Sequence, residues 1–292
     1  MSGRRILLLG HPVTHSLSPT FQQAAFDKIG LPVTYEAIDV APADLARLVG
    51  EMRADPLVMG ANITVPHKER IAPLLDSLTD DAKQVGAVNT ITRAGSRLVG
   101  RNTDTAGFRG ALDGLLDGRR TPRHALVLGA GGAAKAAIAA LIGAGIAQLS
   151  IANRHLARAE RLVATVRTAA PHLTVRAAPW HDGLLVEEAQ IAGLIVHATT
   201  IGMDGATLPI PAAAFRADQF LIDVVYAPGE TALVRAARAA GAEAIDGREM
   251  LLRQGAAAFE LWTGRPAPIG TMRAALDAAT AQSAILGGDH GI

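Results

Sequence analysis

The chain contains no cysteine, which excludes disulfides and thiolate metal sites outright. A reducing compartment fits that composition. An excess of charge of either sign is also missing: 28 Lys+Arg stand against 27 Asp+Glu, a formal net charge of +1 at pH 7. With no run of like charges, the electrostatics give no general reason to expect nucleic acid or an acidic membrane as partner. Long apolar runs are absent as well. The start MSGRRILLLG imitates a signal peptide, but Ile6–Leu9 is only four residues, against roughly 7–15 for an h-region. No uninterrupted stretch of about 18 apolar residues marks a membrane span. The nine histidines show no metal-ligand spacing. His11 and His15 stand four apart, but Pro12 and the loop context spoil a helical pair, so no metal is expected. Short-period repeats and low-complexity tracts are lacking too. What remains is the expectation of a cytoplasmic globular protein.

What is present is an ordinary core-forming balance, 49% hydrophobic and 19% charged in 292 residues, enough for about two domains at roughly 150 residues each. Strand and helix patterns alternate almost from the first residue. The apolar run Ile6–Leu9 reads as a strand, followed by a helix near Pro19–Ile29. A strand follows around Tyr35–Val40, then a helix from Pro42 to about Met52, a strand over Leu57–Thr64 and a helix after Pro66. Such alternation argues for βαβ units and a mostly parallel sheet. Val88–Thr92 and Leu98–Arg101 around Ala94-Gly95-Ser96 read as an antiparallel hairpin at one edge. The Gly, Arg and Pro-rich stretch Asp113–Pro122 is the candidate crossing between domains. A second alternating series follows: strand His124–Leu128, helix Ala133–Ile142, strand Gln148–Ala152, helix Leu156–Thr168, then strands at Leu173–Ala177, Leu194–Ala198 and Phe220–Val225. The tail from Gly247 to about Ala281 reads as helical, broken at Thr263–Pro268. Phe259 and Trp262 on it read as core, and the end from Gly287-Gly288 onward is expected to fray.

HALVLGAGGAAKAAIAAL places a glycine turn between a strand and a helix. A dinucleotide fingerprint needs one glycine for the tight turn, one for close pyrophosphate approach, and a small residue where helix meets strand. Gly129, Gly131 and Ala134 fill those places, Gly132 adds freedom, and the helix N-terminus offers free N–H groups to phosphate. The alternative is an ordinary βα turn; the strand-turn-helix context favours a dinucleotide. At the end of the next strand, Asn153-Arg154-His155 occupies the ribose-recognising position, where an NAD site usually places Asp or Glu. No acid occurs until Glu160. Arg154 and Arg158 suit a phosphate dianion instead, which favours NADP(H) over solvated helix-start arginines.

In the first half, four segments are unusually polar beside strands: His15–Pro19, Gly60–Lys68, Gly86–Thr90 and Gly100–Phe108. In an open α/β sheet, ligands gather at the carboxyl ends of strands, where these segments would lie. The hydroxyls of Ser16 and Ser18 are fit to donate to a carboxylate. Lys68 and Asp104 are fit to pair, to hold a hydroxyl and to shuttle its proton. Each has a plainer alternative, with Ser-Leu-Ser-Pro or Asp104 as a helix N-cap and Lys68 on a solvated face. Four segments together with a separate cofactor domain favour a site.

HSLSP, NITVPHK, GAVNT, GRNTD, GAGGAAKA, NRxxxRA, DVVYAP (Asp223–Pro228) and QGAAAFELWTG (Gln254–Gly264) occur in an order that closely resembles the shikimate dehydrogenase family, from about Gly10 to Gly264. The resemblance implies an α/β fold: a mostly parallel N-terminal substrate domain (1–105 and 248–292) and a Rossmann-type NADP-binding domain (106–247). The C-terminal helices return to the first domain, and an active cleft between the two closes to exclude water. It implies reversible reduction of 3-dehydroshikimate by NADPH to shikimate, a step of aromatic biosynthesis. By similarity, Ser16, Ser18 and Tyr226 hold the substrate carboxylate, and Asn62, Thr64, Asn89 and Gln254 bind ring hydroxyls. Lys68 and Asp104 act at the reacting oxygen, with the formal acid left open. Gly129, Ala130, Gly131, Gly132, Ala133, Asn153, Arg154, His155, Arg158, Val224 and Gly247 bind the cofactor. A small-molecule partner and a monomer or homodimer are expected.

Three departures stand out. Gln22-Gln23 replace a frequent His-Asn, with little expected consequence. His155 replaces a threonine and can donate to phosphate in a pH-dependent way. His197 replaces the usual Asn and reads as structural or cofactor-adjacent rather than catalytic. The alternatives are a quinate/shikimate dehydrogenase using NAD(P), an enzyme acting on amino analogues of shikimate, or a cofactor-sensing regulator on the same scaffold. Ser18, Thr64 and the missing acid at position 153 lean against the quinate enzyme. A regulator would have lost the Lys68 and Asp104 pair.

Overall fold

The computed structural model describes residues 3–227 and 229–287. It divides into two compact units, Met1–Gly107 with Leu251–Gln282, and Phe108–Met250. In the first unit the chain runs β1 (Arg4–Gly10), α1 (Ser18–Lys28), β2 (Val33–Asp39), α2 (Leu45–Ala54), β3 (Val58–Ile63), β4 (Ser77–Leu78), α3 (Asp80–Val85), β5 (Thr90–Ala94), β6 (Arg97–Arg101) and the start of α4 (Asp104–Leu116). The sheet order is β2-β1-β3-β5-β6-β4. β1 pairs in parallel with both β2 and β3. The β5–β6 hairpin is antiparallel and turns through Gly95 at φ +65°, a conformation that costs glycine nothing. It is not the rim: β4 pairs in parallel outside β6.

The alternating side chains of β1 explain why this strand is apolar throughout. Ile6 and Leu8 enter one core with Phe21, Phe26, Tyr35, Phe259 and Trp262. Leu7 and Leu9 enter the other with Val49, Met52, Ile71 and Ile91. Each such side chain, wholly buried, contributes about 1.5–3 kcal/mol.

Two local expectations fail here. α2 starts at Leu45, because Ala41 to Asp44 form a turn closed by Asp44 N–H on the Ala41 carbonyl. No α-helix follows Pro66. Instead, turns are stitched by His67 N–H to Thr64 O and Arg70 N–H to His67 O, and end in a 3-10 helix at Ala72–Leu74. The physical reasons are on either side. His67 is drawn fully inside, its Nε2–H donating to Val40 O at 2.7 Å. Pro73 has no N–H to continue an α-helical ladder and disfavours it at Ala72.

In the second unit, α4 continues to Leu116, so the division falls within this helix and not in the Gly/Arg/Pro stretch after it. There follow β7 (His124–Leu128), α5 (Gly132–Gly143), β8 (Gln148–Asn153), α6 (Leu156–Ala169), β9 (Thr174–Pro179), α7 (Asp182–Ile191), β10 (Leu194–His197), β11 (Phe220–Asp223), α8 (Ala232–Ala239) and β12 (Glu243–Ile245). All strands are parallel, in the order β12-β11-β10-β7-β8-β9. This is the doubly wound dinucleotide-binding order, with its switch point between β7 and β10. Alternation again fills both faces: Ala125 and Val127 join one core, Leu126 and Leu128 the other.

α9 (Arg248–Thr263) and α10 (Ile269–Gly287) complete the chain. Leu251–Gln282 belongs to the first unit, and Leu252, Phe259, Trp262, Met272 and Leu276 fill its core beside Phe26. The break at Thr263–Pro268 lies where expected. The fraying expected from Gly288 onward lies outside the described residues. Among the described residues no helix is long and apolar enough to cross a membrane.

Candidate active site

Strand register gathers the polar segments of the first unit at one edge of its sheet. β1 and β3 run parallel, so the serine loop after Gly10 and the Thr64–Lys68 turn leave from the same end. Asn62 pairs opposite Thr90, and Thr90 opposite Arg101, so Asn89 and Asn102–Asp104 emerge there too. Backbone bonds seal the edge: Thr64 N–H to Leu9 O at 2.8 Å, Ile63 N–H to Asn89 O at 2.7 Å, and Val88 N–H to Lys68 O at 2.7 Å.

Lys68 Nζ donates to Asp104 Oδ2 at 2.5 Å, with side-chain exposures of 17% and 4%. The other carboxylate oxygen, Oδ1, accepts from Asn89 Nδ2 at 2.8 Å. Asn89 Nδ2 also lies 2.9 Å from Thr103 Oγ1 and 3.2 Å from Gln254 Oε1. Its Oδ1 accepts the Thr103 N–H at 2.7 Å. Asp104 is therefore no N-cap: Asn102 Oδ1 takes the Thr105 N–H at 3.2 Å, which frees the Asp104 carboxylate for Lys68 and Asn89.

The remaining first-unit residues divide by what their polar atoms already hold. Ser16 Oγ accepts the Ser18 N–H at 3.3 Å, just before α1. The Ser18 and Thr64 hydroxyls have no partner among the described residues, and Ser18 is 5% exposed. Gln254, on α9, donates from Nε2 to Leu251 O. Asn62 is spent inside the protein. Its Oδ1 accepts from Tyr35 at 2.7 Å, and its Nδ2 donates to Asn89 O and Thr90 Oγ1, both at 3.1 Å. Gln22, fully buried, ties α1 to α9 through Gly255 O at 2.9 Å, next to Gln254. Its Oε1 and His67 Nδ1 lack partners among the described residues. Gln23 bridges to Asp27 and the β2 backbone.

In the second unit, Gly129 follows β7 at φ +124°, and an added Cβ would meet Ala198 O at 2.6 Å. Only glycine fits both demands. Gly131 precedes α5 and a Cβ there would meet nothing within 4 Å, leaving room for a close phosphate. Ala134 is fully buried where α5 meets the sheet. Ala130 is buried too, and Gly132 and Ala133 open α5, a helix long enough to carry a useful N-terminal dipole. These features fit a bound pyrophosphate. Past β8, Arg154, His155 and Arg158 are exposed, and neither arginine has a side-chain partner among the described residues. Asn153 Nδ2 caps the turn on His155 O at 3.0 Å.

Val224 and Gly247 meet: a Cβ on Gly247 would fall 2.1 Å from Val224 O. Tyr226 is half-buried in this same unit. His197 is fully buried with both ring nitrogens satisfied. Nδ1–H donates to Asp223 Oδ1 at 2.8 Å, and Thr199 Oγ1 donates to Nε2 at 2.6 Å. In the loop after β10, three donors from Ala206 and Thr207 pull the Asp204 carboxyl down to about 2, so the loop is pinned by an ionised side chain.

Tyr35, Thr90 and Thr103, which hydrogen-bond to Asn62 and Asn89, are not singled out by residue type alone. Thr90 and Thr103 adjoin Asn89 and Asp104 in their motifs, which was a usable signal. Tyr35 carries none, since its role depends on strand register.

Known proteins share this sequence and fold. Residues 8–91 match the family described as shikimate dehydrogenase substrate binding domain, residues 117–178 shikimate / quinate 5-dehydrogenase, and residues 247–276 shikimate 5'-dehydrogenase C-terminal domain. A Symbiobacterium thermophilum protein named shikimate dehydrogenase (NADP(+)) is 43% identical over 284 residues, 95% of each chain. The crystal structure of shikimate 5-dehydrogenase from Thermus thermophilus in complex with NADP(H) and shikimate superposes with a TM-score of 0.81 at 38% identity, covering 94% of this chain and 99% of that one. Quinate dehydrogenase from Corynebacterium glutamicum in complex with NAD gives a TM-score of 0.85 at 31% identity, covering 94% and 99%. The chain belongs to the shikimate dehydrogenase family.

Proposed function

We propose that this protein catalyses the reversible NADP-dependent reduction of 3-dehydroshikimate to shikimate. The observation that carries the proposal is the Lys68–Asp104 pair: a donor and an acceptor in contact at 2.5 Å, largely withdrawn from water, at the polar edge of the first unit. Bound NADPH supplies the hydride that goes to the carbonyl carbon. At the carbonyl oxygen, Lys68 Nζ donates as negative charge develops, and the pair as a unit delivers the proton that makes the hydroxyl. In the oxidation direction the pair takes that proton back. Asn89 and Gln254 keep Asp104 in place. The hydroxyls of Ser18 and Thr64 are available to the substrate, Ser18 and Ser16 with Tyr226 for its carboxylate, Thr64, Asn89 and Gln254 for its ring hydroxyls. Asn62 acts behind Asn89.

Arg154 and Arg158 hold the 2′-phosphate of the cofactor, and no carboxylate at the end of β8 repels it. Gly129 to Ala133 take the pyrophosphate, with Asn153, His155, Val224 and Gly247 completing that side. The enzyme works on a small molecule in the cytoplasm, as a monomer or homodimer. The quinate reading has one point in its favour, the likeness to an NAD-bound quinate dehydrogenase. Arg154, which has no side-chain partner among the described residues, weighs against it. Pure protein mixed with shikimate and NADP+ should form NADPH, followed by absorbance. No NADPH formation would refute the proposal.

A further inference from the structure

Tyr35 lies on β2, 5% exposed and outside every segment assigned to substrate. Its ring packs beside Trp262, centroids 6.2 Å apart, and Trp262 Nε1–H is itself fixed on Ile91 O at 2.9 Å. From its hydroxyl a series of buried hydrogen bonds leads to the reacting pair. Tyr35 O–H donates to Asn62 Oδ1 at 2.7 Å, and Asn62 Nδ2 donates to Thr90 Oγ1 at 3.1 Å. Thr90 Oγ1 donates to Asn89 Oδ1 at 3.1 Å, and Asn89 Nδ2 donates to Asp104 Oδ1 at 2.8 Å. Every link runs donor to acceptor in the same direction and the last acceptor is the carboxylate that holds Lys68. Asn62, Thr90, Asn89 and Asp104 are each at most 5% exposed. Bonds aligned in this way polarise one another, and water does not reach them to substitute for a lost link.

We propose that Tyr35 is a positioning residue for the Lys68–Asp104 pair, acting through Asn62, Thr90 and Asn89. Taking the phenol hydroxyl away leaves Asn62 Oδ1 without that donor inside the fold. The Asn62 amide then turns, Thr90 and Asn89 follow, and Asp104 Oδ1 loses its fixed partner. Misplacement of a catalytic group from a distance lowers turnover more than binding.

The inference rests on the proposed shikimate oxidation, so wild type is assayed alongside Tyr35→Phe, Thr90→Val, Thr90→Ser and the double variant Tyr35→Phe/Thr90→Val. Tyr35→Phe should lower kcat about five- to tenfold while KM for shikimate stays within about twofold, as loss of positioning predicts. Thr90→Val should match it, and Thr90→Ser, which keeps the hydroxyl, should stay near wild type. In the double variant the loss should be no greater than in the worse single one, because both break one chain. An inactive wild type would refute the activity. An active wild type with undiminished kcat in Tyr35→Phe, additive losses, or a Thr90→Ser variant as poor as Thr90→Val would overturn the inference alone. If Tyr35→Phe fails to fold, the Val-against-Ser contrast at position 90 decides.

Discussion

Replacing Lys68 by alanine separates chemistry from scaffolding more cleanly than any other change at this site. Lys68 Nζ is the contact on Asp104 Oδ2, and after its removal Asn89 is the one side chain among the described residues that holds the carboxylate. A positioned proton-transfer group contributes about 10²–10⁴ in rate, or about 3–5 kcal/mol of barrier. The stability cost is smaller. Breaking a fully buried pair costs about 3–5 kcal/mol. Here Lys68 is 17% exposed and Asp104 keeps Asn89, which reduces the figure to about 2 kcal/mol. For a chain of 292 residues that lowers Tm by about 3–4 °C. Steady-state rates of shikimate oxidation should then show kcat down at least about a hundredfold with KM within about threefold, on protein that still unfolds cooperatively. Lys68→Arg refines the test, because a guanidinium restores the charge but does not deprotonate. It should recover most of the lost Tm and little of the kcat. Near-normal turnover in Lys68→Ala, or a KM rise with kcat preserved, would refute the assigned role.

Two further perturbations address the second unit. Arg154→Ala should raise KM for NADP about tenfold, the scale of a charge-assisted contact, while KM for NAD stays unchanged; equal effects on both cofactors would argue against a 2′-phosphate contact. His124, on β7 with Nε2 at 3.0 Å from Ser150 Oγ, is held below its ordinary value of 6.5 mainly by burial. The unfolded chain therefore takes the proton first. The stability tied to this group is complete above pH 6.5 and is lost as pH falls through that value toward the lower folded one. Urea unfolding at a series of pH values should show a shallower acid-side loss in His124→Gln than in wild type. Parallel curves would refute it.

The legible parts of this fold are those written locally. β1 and the β7–turn–α5 unit announce themselves, because a run of apolar residues before a glycine turn has few other uses. Motif order and residue type point to the Lys68–Asp104 contact. What escaped notice depends on distant partners. The turns after Pro66 form because His67 finds Val40 O, which no local pattern contains. α7, α8 and β12 are short, and β12 presents one buried side chain in three residues, too little periodicity to read. Asn62 looks like a substrate ligand in its motif. Only the β3–β5 register, which sets it opposite Thr90, and the phenol of Tyr35 show its amide committed inward.

The central claim is an NADP-dependent reductase of 3-dehydroshikimate, and a two-by-two assay of the pure enzyme tests it most directly: shikimate or quinate, each with NADP+ or NAD+. The predicted result is that kcat/KM for shikimate with NADP+ exceeds each of the other three combinations by about tenfold or more, as paired polar contacts to substrate and 2′-phosphate require. Equal or higher efficiency with quinate and NAD+ would contradict it.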